Sequence, residues 1–581
     1  MLKVRGKTFF IGLFFLAVIA LPNFVFADSY NQKTTFFVDP SYDLSGREKI
    51  EGVLKHISVK AYFYLEEEWW ESLSDKEKQE ILNELSLLGK EFDQKIYPTV
   101  TSVYGYEWSP GIDNDRHITV FLHQMKENIG GYHRTVDEYY KVQIPSSNQR
   151  EMVYLNAEYL GNSRLKSFLA HEFVHLIVFN QKVKVFKTGE EEVWLNEAYA
   201  DYAPTLLGYD DQFDQDSNLY NRVREFLRAP SDSLTEWRNM AQDYGIVNLF
   251  TQYLVDHYGI EVLKDALHSK KTGIDSLNYA LEKNGYEKTI QDIFTDWTIA
   301  LVINDCSINP LYCYKNENLK NIKITPALIF LPTTQQSEIS LVYSLKDWSA
   351  RWLKIIGGNK GLEVEVENNT APKITLPYVV RKNGTELEIK EATISKGRVA
   401  KIELPEFAKE NVSLILIPSV TYKTKNFTDK EASFSFSIKI KTVEENNHQE
   451  KPITEMTIEE LQAKILEIQQ QIAQLQAMLA ELIAQNQSEI SCKEITKNLY
   501  YGIMNDPQVR CLQEFLKSQG PEIYPEGLVT GNFLTLTRQA VIRFQEKYRE
   551  EILEPLGLEK GTGFVGMKTR EKINKMLKEY D

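Results

Sequence analysis

The chain carries the run HEFVH at residues 171–175 and the run WLNEAYAD at residues 194–201. The apolar residues around the first run indicate a buried core helix. In such a helix His171 and His175 lie one turn apart on the same face, so their imidazoles can bind one metal ion. Glu172, between them, is placed to act on a water molecule at that metal.

The second run places Glu197 and Asp201 four residues apart, on one face of a second helix. We predict Glu197 as the third metal ligand and Asp201 as the acceptor for the outer nitrogen of a ligand histidine. Two histidines and one carboxylate leave a fourth position open, which is typical of a catalytic zinc site. A buried helix with two satisfied histidines is the alternative, and the second run favours Zn2+ over it.

The two runs resemble those of the gluzincin metallopeptidases, in which HExxH is followed about twenty residues later by a helix containing glutamate. Their spacing is similar to that of thermolysin-like enzymes, and the sequence WLNE at residues 194–197 is similar to that of zinc aminopeptidases. The upstream runs resemble hyicolysin-type secreted peptidases, at residues 92–98, 110–115 and 130–132. The resemblance spans residues 35–300 and implies a mainly helical, zincin-type catalytic domain with a small N-terminal sheet.

In that family a metal-activated water hydrolyses peptide bonds. Glu172 would serve as general base and then as general acid, and a tyrosine or histidine would stabilise the oxyanion. The resemblance favours Tyr244 for that role, with His133 and Tyr199 as weaker candidates. The aminopeptidase branch carries a Gly-rich motif ending in glutamate upstream of HExxH. Residues 125–170 contain only GGYH, without that carboxylate, which favours an endopeptidase.

The N-terminus indicates export. Basic residues precede an apolar stretch at 9–21, and VFA at 25–27 resembles a cleavage site. We therefore predict a signal peptide over residues 1–27 and a secreted, extracellular protein. An uncleaved N-terminal membrane anchor is the alternative, although the apolar stretch is short for a membrane span.

Charge and cysteine content agree with an exported protein. The net charge of −15 disfavours nucleic acid as a partner, because nucleic-acid binding depends on basic surfaces. The chain has four cysteines, and their even number favours disulfides in an exported protein. Cys306 is close to Cys313 in the sequence, and Cys492 and Cys511 lie in one C-terminal unit; four buried thiols are the alternative.

The length of 581 residues predicts several domains and a multidomain α+β fold. We assign residues 28–314 to the metallopeptidase domain. Alternating apolar and polar residues with turn signals predict a β-sandwich over 315–445, and its predicted strands include residues 322–324. Its role is interpreted as packing or spacing, with substrate presentation as the alternative.

Residues 446–490 form a linker and a predicted coiled coil. Apolar residues between 458 and 482 alternate spacings of three and four, which is a heptad pattern over nearly four repeats. A homodimer or trimer is one interpretation of this pattern. A helical stalk that packs within its own chain is the other.

Residues 491–581 resemble the three-helix peptidoglycan-binding domain. The resemblance rests on three runs: VRCLQEFL at 509–516, TRQAVIRFQ at 537–545 and GFVGMKTR at 563–570. It implies a small three-helix C-terminal domain that binds peptidoglycan or the cell wall. Such domains also occur as propeptides or docking modules.

Together these features predict an exported zinc-dependent endopeptidase that hydrolyses polypeptides and is held at the cell wall by its C-terminal module. A zinc-dependent peptidoglycan hydrolase is one alternative. A non-enzymatic, cell-wall-binding surface scaffold is the other, and the intact Glu172 and third ligand disfavour it.

Overall fold

The computed structural model mixes helices and strands, which hold 38% and 23% of the residues, so the mixed fold predicted from the sequence is confirmed at that level. The chain divides into two compact units, Met1–Glu445 and Asn446–Asp581. The described residues are 27–333, 336–358, 360–384, 386–409, 411–422, 430–443, 494–503, 506–525 and 527–579.

A six-stranded sheet opens the first unit, in the order β1-β2-β3-β4-β6-β5. Its central strands β3, β4 and β6 are parallel and buried along their whole length, as expected for strands covered on both faces. Among the described residues, strand β5 pairs only with β6, and it ends the sheet beside the HEFVH run. The strands are β1 Lys33–Phe37, β2 Lys49–Ile57, β3 Ala61–Glu66, β4 Ile118–His123, β5 Gly131–His133 and β6 Met152–Asn156.

The described residues of this unit also form ten α-helices. Helix α4 carries HEFVH and is buried along most of its length, with its core side chains packed between β6 and helix α5. The helices are α1 Glu67–Ser72, α2 Asp75–Glu91, α3 Tyr97–Tyr104, α4 Leu165–Phe179, α5 Val193–Leu206, α6 Asn218–Arg228, α7 Ala241–Tyr258, α8 Ile260–Leu267, α9 Gly273–Lys283 and α10 Ile290–Ile303.

Two further sheets follow α10, and one apolar core that includes Val364, Leu376 and Ile438 joins them. One sheet has the order β7-β10-β15-β12-β16-β9 with β13 beside β12, and the other has the order β14-β11-β17-β8. The strands are β7 Ala327–Leu331, β8 Glu338–Lys346, β9 Ser349–Ala350, β10 Leu353–Gly357, β11 Gly361–Asn368, β12 Lys373–Lys382, β13 Leu387–Ser395, β14 Val399–Leu404, β15 Asn411–Leu416, β16 Ser419–Val420 and β17 Ser433–Val443.

The strand predicted at residues 322–324 is wrong. Ile324 is buried in the helical core, and its backbone amide donates to the carbonyl of Leu301 at the end of α10. The alternation of apolar residues there reflects a connecting segment that lies along α10, because one-sided burial produces the same pattern as a strand.

The second unit contains helices α11 Pro507–Ser518, α12 Thr535–Lys547, α13 Arg549–Ile552 and α14 Met567–Glu579. Two buried glutamines, Gln513 and Gln545, play the same part in its two halves. Each side-chain oxygen accepts from two consecutive backbone amides, and each side-chain nitrogen donates to a carbonyl and to a threonine hydroxyl. The partners are Thr530, Gly531, Asn532 and Thr537 for Gln513, and Thr562, Gly563, Phe564 and Thr569 for Gln545.

Several sequence predictions concern residues outside the described ones: the signal peptide apart from its last residue, the heptad pattern at 458–482, and Cys492. The predicted disulfide between Cys306 and Cys313 is present, and Cys511 is disulfide-bonded. Within the described ranges, no helix combines the length and apolar character needed to cross a membrane.

Candidate metal centre

Helices α4 and α5 bring three side chains to one point. His171 and His175 project from successive turns of α4, and Glu197 reaches them from α5. One ligand atom from each residue lies within 4.8 Å of the others, so this group could hold a metal ion. The structure thus brings the three predicted ligands together.

The separations of these atoms fit a small four-coordinate ion. The Oε2 atom of Glu197 lies 3.2 Å from Nε2 of His171 and 3.7 Å from Nε2 of His175. Tetrahedral zinc with bonds of about 2.1 Å places neighbouring ligand atoms about 3.4 Å apart. The two separations from Glu197 are therefore compatible with a metal ion held between these side chains.

The Nδ1 atom of each histidine, on the side of the ring away from the ligand cluster, lies near a polar side chain of α5. Nδ1 of His175 lies 2.9 Å from Oδ1 of Asn196, and Nδ1 of His171 lies 3.6 Å from Oδ1 of Asp201. A partner on Nδ1 fixes the ring orientation and leaves Nε2 free to bind the metal. Asn196, whose role sequence reasoning missed, directly precedes the ligand Glu197.

Asp201 is fully buried and is anchored by two neighbouring helices. Arg222 of α6 donates to it from Nε and Nη2 at 3.0 and 2.9 Å, and Asn248 of α7 donates from Nδ2 at 2.8 Å. Burial raises the pKa of Asp201, but the charges of Arg222 and His171 and the hydrogen bonds from Arg222 and Asn248 together outweigh it and hold that pKa below its usual value. Asp201 is therefore a fixed negative charge behind His171.

Glu172 lies against the ligand cluster and is only 6% exposed. Its Oε2 atom is 4.0 Å from Nε2 of His175. Burial, together with the charge of Glu197, raises the pKa of Glu172 to about 8. A β-carbon added to Gly131 of β5 would lie 3.1 Å from Cγ of Glu172, so the end strand of the sheet passes directly beside this carboxyl.

Tyr244 lies on the α7 side of the cluster. Its ring centroid is 6.4 Å from that of His171, and the guanidinium of Arg222 lies 4.5 Å from the Tyr244 ring. Trp237 packs its ring against Tyr244 edge to face, at 4.8 Å. Burial, with the negative charge of Glu197, raises the pKa of Tyr244, so its hydroxyl stays protonated and can donate.

The two weaker candidates lie in different places. His133 of β5 stacks on His175 with ring centroids 5.8 Å apart, and its Nε2 is 3.3 Å from Oε1 of Glu138. Tyr199 is fully buried in the core, where its ring meets that of Tyr104. His133 therefore belongs to the site, whereas Tyr199 packs in the core.

Sequence reasoning also missed Tyr42. Its ring stacks on Tyr132 of β5, and its hydroxyl accepts from Nδ2 of Asn239 at 3.4 Å. The Oδ1 atom of Asn239 in turn accepts from the hydroxyl of Tyr244 at 3.4 Å. These contacts connect the sheet side of the site to its helical side.

No protein-family model matches this chain, and no curated protein matches its sequence. Among solved structures, the mitogen of Yersinia pseudotuberculosis is 15% identical, and the match covers 21% of this chain and 100% of the mitogen, with a TM-score of 0.13. A periplasmic inhibitor of g-type lysozyme from Aeromonas hydrophila is 11% identical, with 20% and 97% of the two chains covered and a TM-score of 0.14.

Proposed function

We propose that this chain is an exported zinc-dependent endopeptidase that hydrolyses peptide bonds of polypeptides. One observation carries the proposal: the convergence of His171, His175 and Glu197, with Glu172 beside the ligand atoms and Asp201 behind His171. Three protein ligands on a four-coordinate ion leave one position for water or substrate, as catalytic zinc sites require.

The donor set favours zinc among the metals. Two imidazole nitrogens and one carboxylate oxygen suit a metal ion of intermediate hardness such as zinc, whereas calcium and magnesium prefer oxygen ligands alone. The buried carboxylate of Asp201 behind His171 is typical of a histidine that binds zinc. When bound, zinc supplies the Lewis acidity that makes a water molecule nucleophilic near neutral pH.

Glu172 is the general base and acid of the proposed reaction. Its carboxylate takes a proton from the attacking water and then delivers that proton to the leaving amine. The burial that raises its pKa to about 8 in the metal-free site also increases its affinity for a proton, which a general base near neutral pH requires. Its Oε2 atom lies 4.0 Å from Nε2 of His175, at the edge of the ligand cluster.

Tyr244 is the proposed donor to the oxyanion of the tetrahedral intermediate. A neutral hydroxyl held near the metal ligands can stabilise negative charge as it develops in the transition state. Arg222 and Trp237 hold the Tyr244 ring from two sides, so the hydroxyl has little freedom to turn away. His133 remains the second candidate, on the β5 side.

Strand β5 supports an extended polypeptide as the substrate. It is the end strand of its sheet, so one side of its backbone has no neighbouring strand from the described part of the chain. An extended peptide can add to such an edge through backbone hydrogen bonds. Because Gly131 of β5 passes beside Glu172, a peptide added there would have its backbone near the general base.

The remaining segments complete the proposal. A signal peptide at 1–27 directs export, a zincin-type domain at 28–314 holds the site, and a β-sandwich at 315–445 packs beside it. The C-terminal unit, 491–581, binds peptidoglycan, and the exposed stacked rings of Tyr500 and Phe564 are suited to pack against sugar rings.

The proposal is tested by zymography on casein and on purified cell wall, each with a chelator and with zinc added back. We expect casein clearing that the chelator abolishes and zinc restores. Clearing of cell wall without casein would support a peptidoglycan hydrolase instead. No clearing of either substrate by zinc-loaded protein would contradict an enzymatic role.

A further inference from the structure

The two sheets built from strands β7–β17 are called the β-sheet domain below. The segment between helices α6 and α7 connects this domain to the candidate metal site. This segment, residues 232–240, is called the arm below. Five consecutive arm residues, 232–236, are buried although they form no helix or strand. A buried loop of this kind needs partners for its polar groups.

One end of the arm is bound by the turn that follows strand β8. The backbone amide of Leu234 donates to the carbonyl of Trp348 at 2.8 Å, and the hydroxyl of Ser233 donates to the carbonyl of Asp347 at 2.7 Å. Lys346, the last residue of β8, forms an ion pair with Glu236 of the arm. The β-sheet domain therefore fixes both the backbone and a charge of the arm.

The turn after β8 packs against helix α10. The Trp348 side chain is only 1% exposed and meets the Phe294 ring of α10 at a centroid distance of 5.7 Å. The indole nitrogen of Trp352 donates to the carbonyl of Thr298, also in α10, at 2.9 Å. Two tryptophans thus anchor the sheet domain to a core helix, so the turn is a rigid support.

The other end of the arm contacts Tyr244. Trp237 packs its ring on that of Tyr244, and Oδ1 of Asn239 accepts from the Tyr244 hydroxyl. The carboxylate of Asp243 accepts from the backbone amides of Arg238 and Met240 at 2.9 and 2.8 Å, which joins the arm to the first turn of α7.

We infer that the β-sheet domain positions Tyr244 for the proposed reaction by way of the arm. Lys346 and Trp237 are the positioning residues: Lys346 holds the arm through Glu236, and Trp237 holds the Tyr244 ring. The inference rests on the proposed peptidase function. It gives the sheet domain a part in the reaction that a spacer does not have, because small displacements of a catalytic group reduce its rate contribution steeply.

The test uses the full-length, zinc-loaded protein with Lys346→Glu, which places two negative charges together at the arm. Lys401→Glu is the matched control, because Lys401 lies in the same four-stranded sheet and pairs with Glu363 and Glu403 instead of the arm. We expect Lys346→Glu to lower kcat about tenfold with KM and zinc content unchanged. Lys401→Glu should stay within about twofold of the unaltered protein.

The discriminating measurement combines these changes with Tyr244→Phe. If the arm acts through the Tyr244 hydroxyl, Lys346→Glu will lower kcat less than about twofold further in the Tyr244→Phe protein. Lys346→Arg, which keeps the positive charge beside Glu236, should have the kcat of the unaltered protein. Trp237→Leu, a change outside the sheet domain, should show the same dependence on Tyr244. An equal loss with and without the hydroxyl would overturn the inference.

Amide hydrogen exchange of the arm separates this inference from the proposed function. We expect exchange at residues 234–240 to be at least about tenfold faster in Lys346→Glu than in Lys401→Glu. Unchanged exchange would overturn the inference whether or not the protein hydrolyses peptides. Failure of the proposed function would instead appear as an inactive, zinc-loaded unaltered protein.

Discussion

His171 and Asp201 lie one behind the other, with Nδ1 of the histidine 3.6 Å from Oδ1 of the carboxylate. Arg222 holds Asp201 from the opposite side, so a fixed charge stands behind this candidate metal ligand. In the proposed zinc site, this alignment of imidazole, carboxylate and guanidinium would make His171 a stronger ligand.

Asp201→Asn tests this alignment. The amide keeps the shape of the side chain but removes the charge, so we expect the dissociation constant for zinc to rise about 10- to 100-fold. Isothermal titration with a competing chelator measures it. Glu225→Gln is the control, because Glu225 pairs with Arg222 without reaching the ligands. Equal zinc affinities for both variants would contradict a role for Asp201 behind the ligand.

Zinc binding should depend on pH through His171. Burial lowers its pKa, but the hydrogen bond with Glu197 and the charges of Glu172, Glu197 and Asp201 together outweigh burial and raise the pKa of His171 to about 9 in the metal-free site. Below that pH zinc must displace a proton from His171, since only the neutral ring binds metal.

Because one proton is displaced from His171, the apparent zinc affinity should fall about tenfold for each pH unit below 9. Above pH 9 the affinity should level off. Proton release measured in buffers of different ionisation enthalpy checks the expectation. Zinc affinity that does not change between pH 7 and 9 would contradict it.

The buried glutamines Gln513 and Gln545 should contribute to the stability of the C-terminal unit. Gln545→Ala removes four hydrogen bonds and leaves buried backbone groups without partners. We expect the free energy of unfolding of this unit to fall by about 2–4 kcal/mol. Amide exchange at the buried residues Leu512 and Phe515 of α11 in urea measures the effect, because their amides do not donate to Gln545. Glu514→Ala, at an exposed position, should change it by less than about 0.5 kcal/mol, and an equal loss there would contradict the role of Gln545.

The clustering of the candidate ligands was predictable from the sequence because its geometry is local. Spacings of four residues within a helix place His171 above His175 and Glu197 above Asp201, and burial of both helices holds the pairs together. Tyr199 failed as a site candidate for the same local reason: two residues beyond Glu197 the helix has turned by about 200°, which points the side chain into the core.

The supports of the site were not predictable in this way. Arg222, Trp237 and Tyr42 meet the cluster from distant parts of the chain, and no periodic pattern marks them. Asn248 is an exception in principle, because it lies one turn from Tyr244 on α7 and could have been proposed from that spacing. Long-range packing decides the others, and one sequence carries no local signal of it.

The most direct test of the central claim is Glu172→Gln in the full-length protein, with Glu158→Gln at an exposed position as the control. Zinc content by elemental analysis and casein hydrolysis are measured on the same samples. We predict one zinc per chain in both variants, with kcat reduced at least about 10³-fold by Glu172→Gln alone. Undiminished hydrolysis by zinc-loaded Glu172→Gln would contradict the assignment of this site as a metallopeptidase centre.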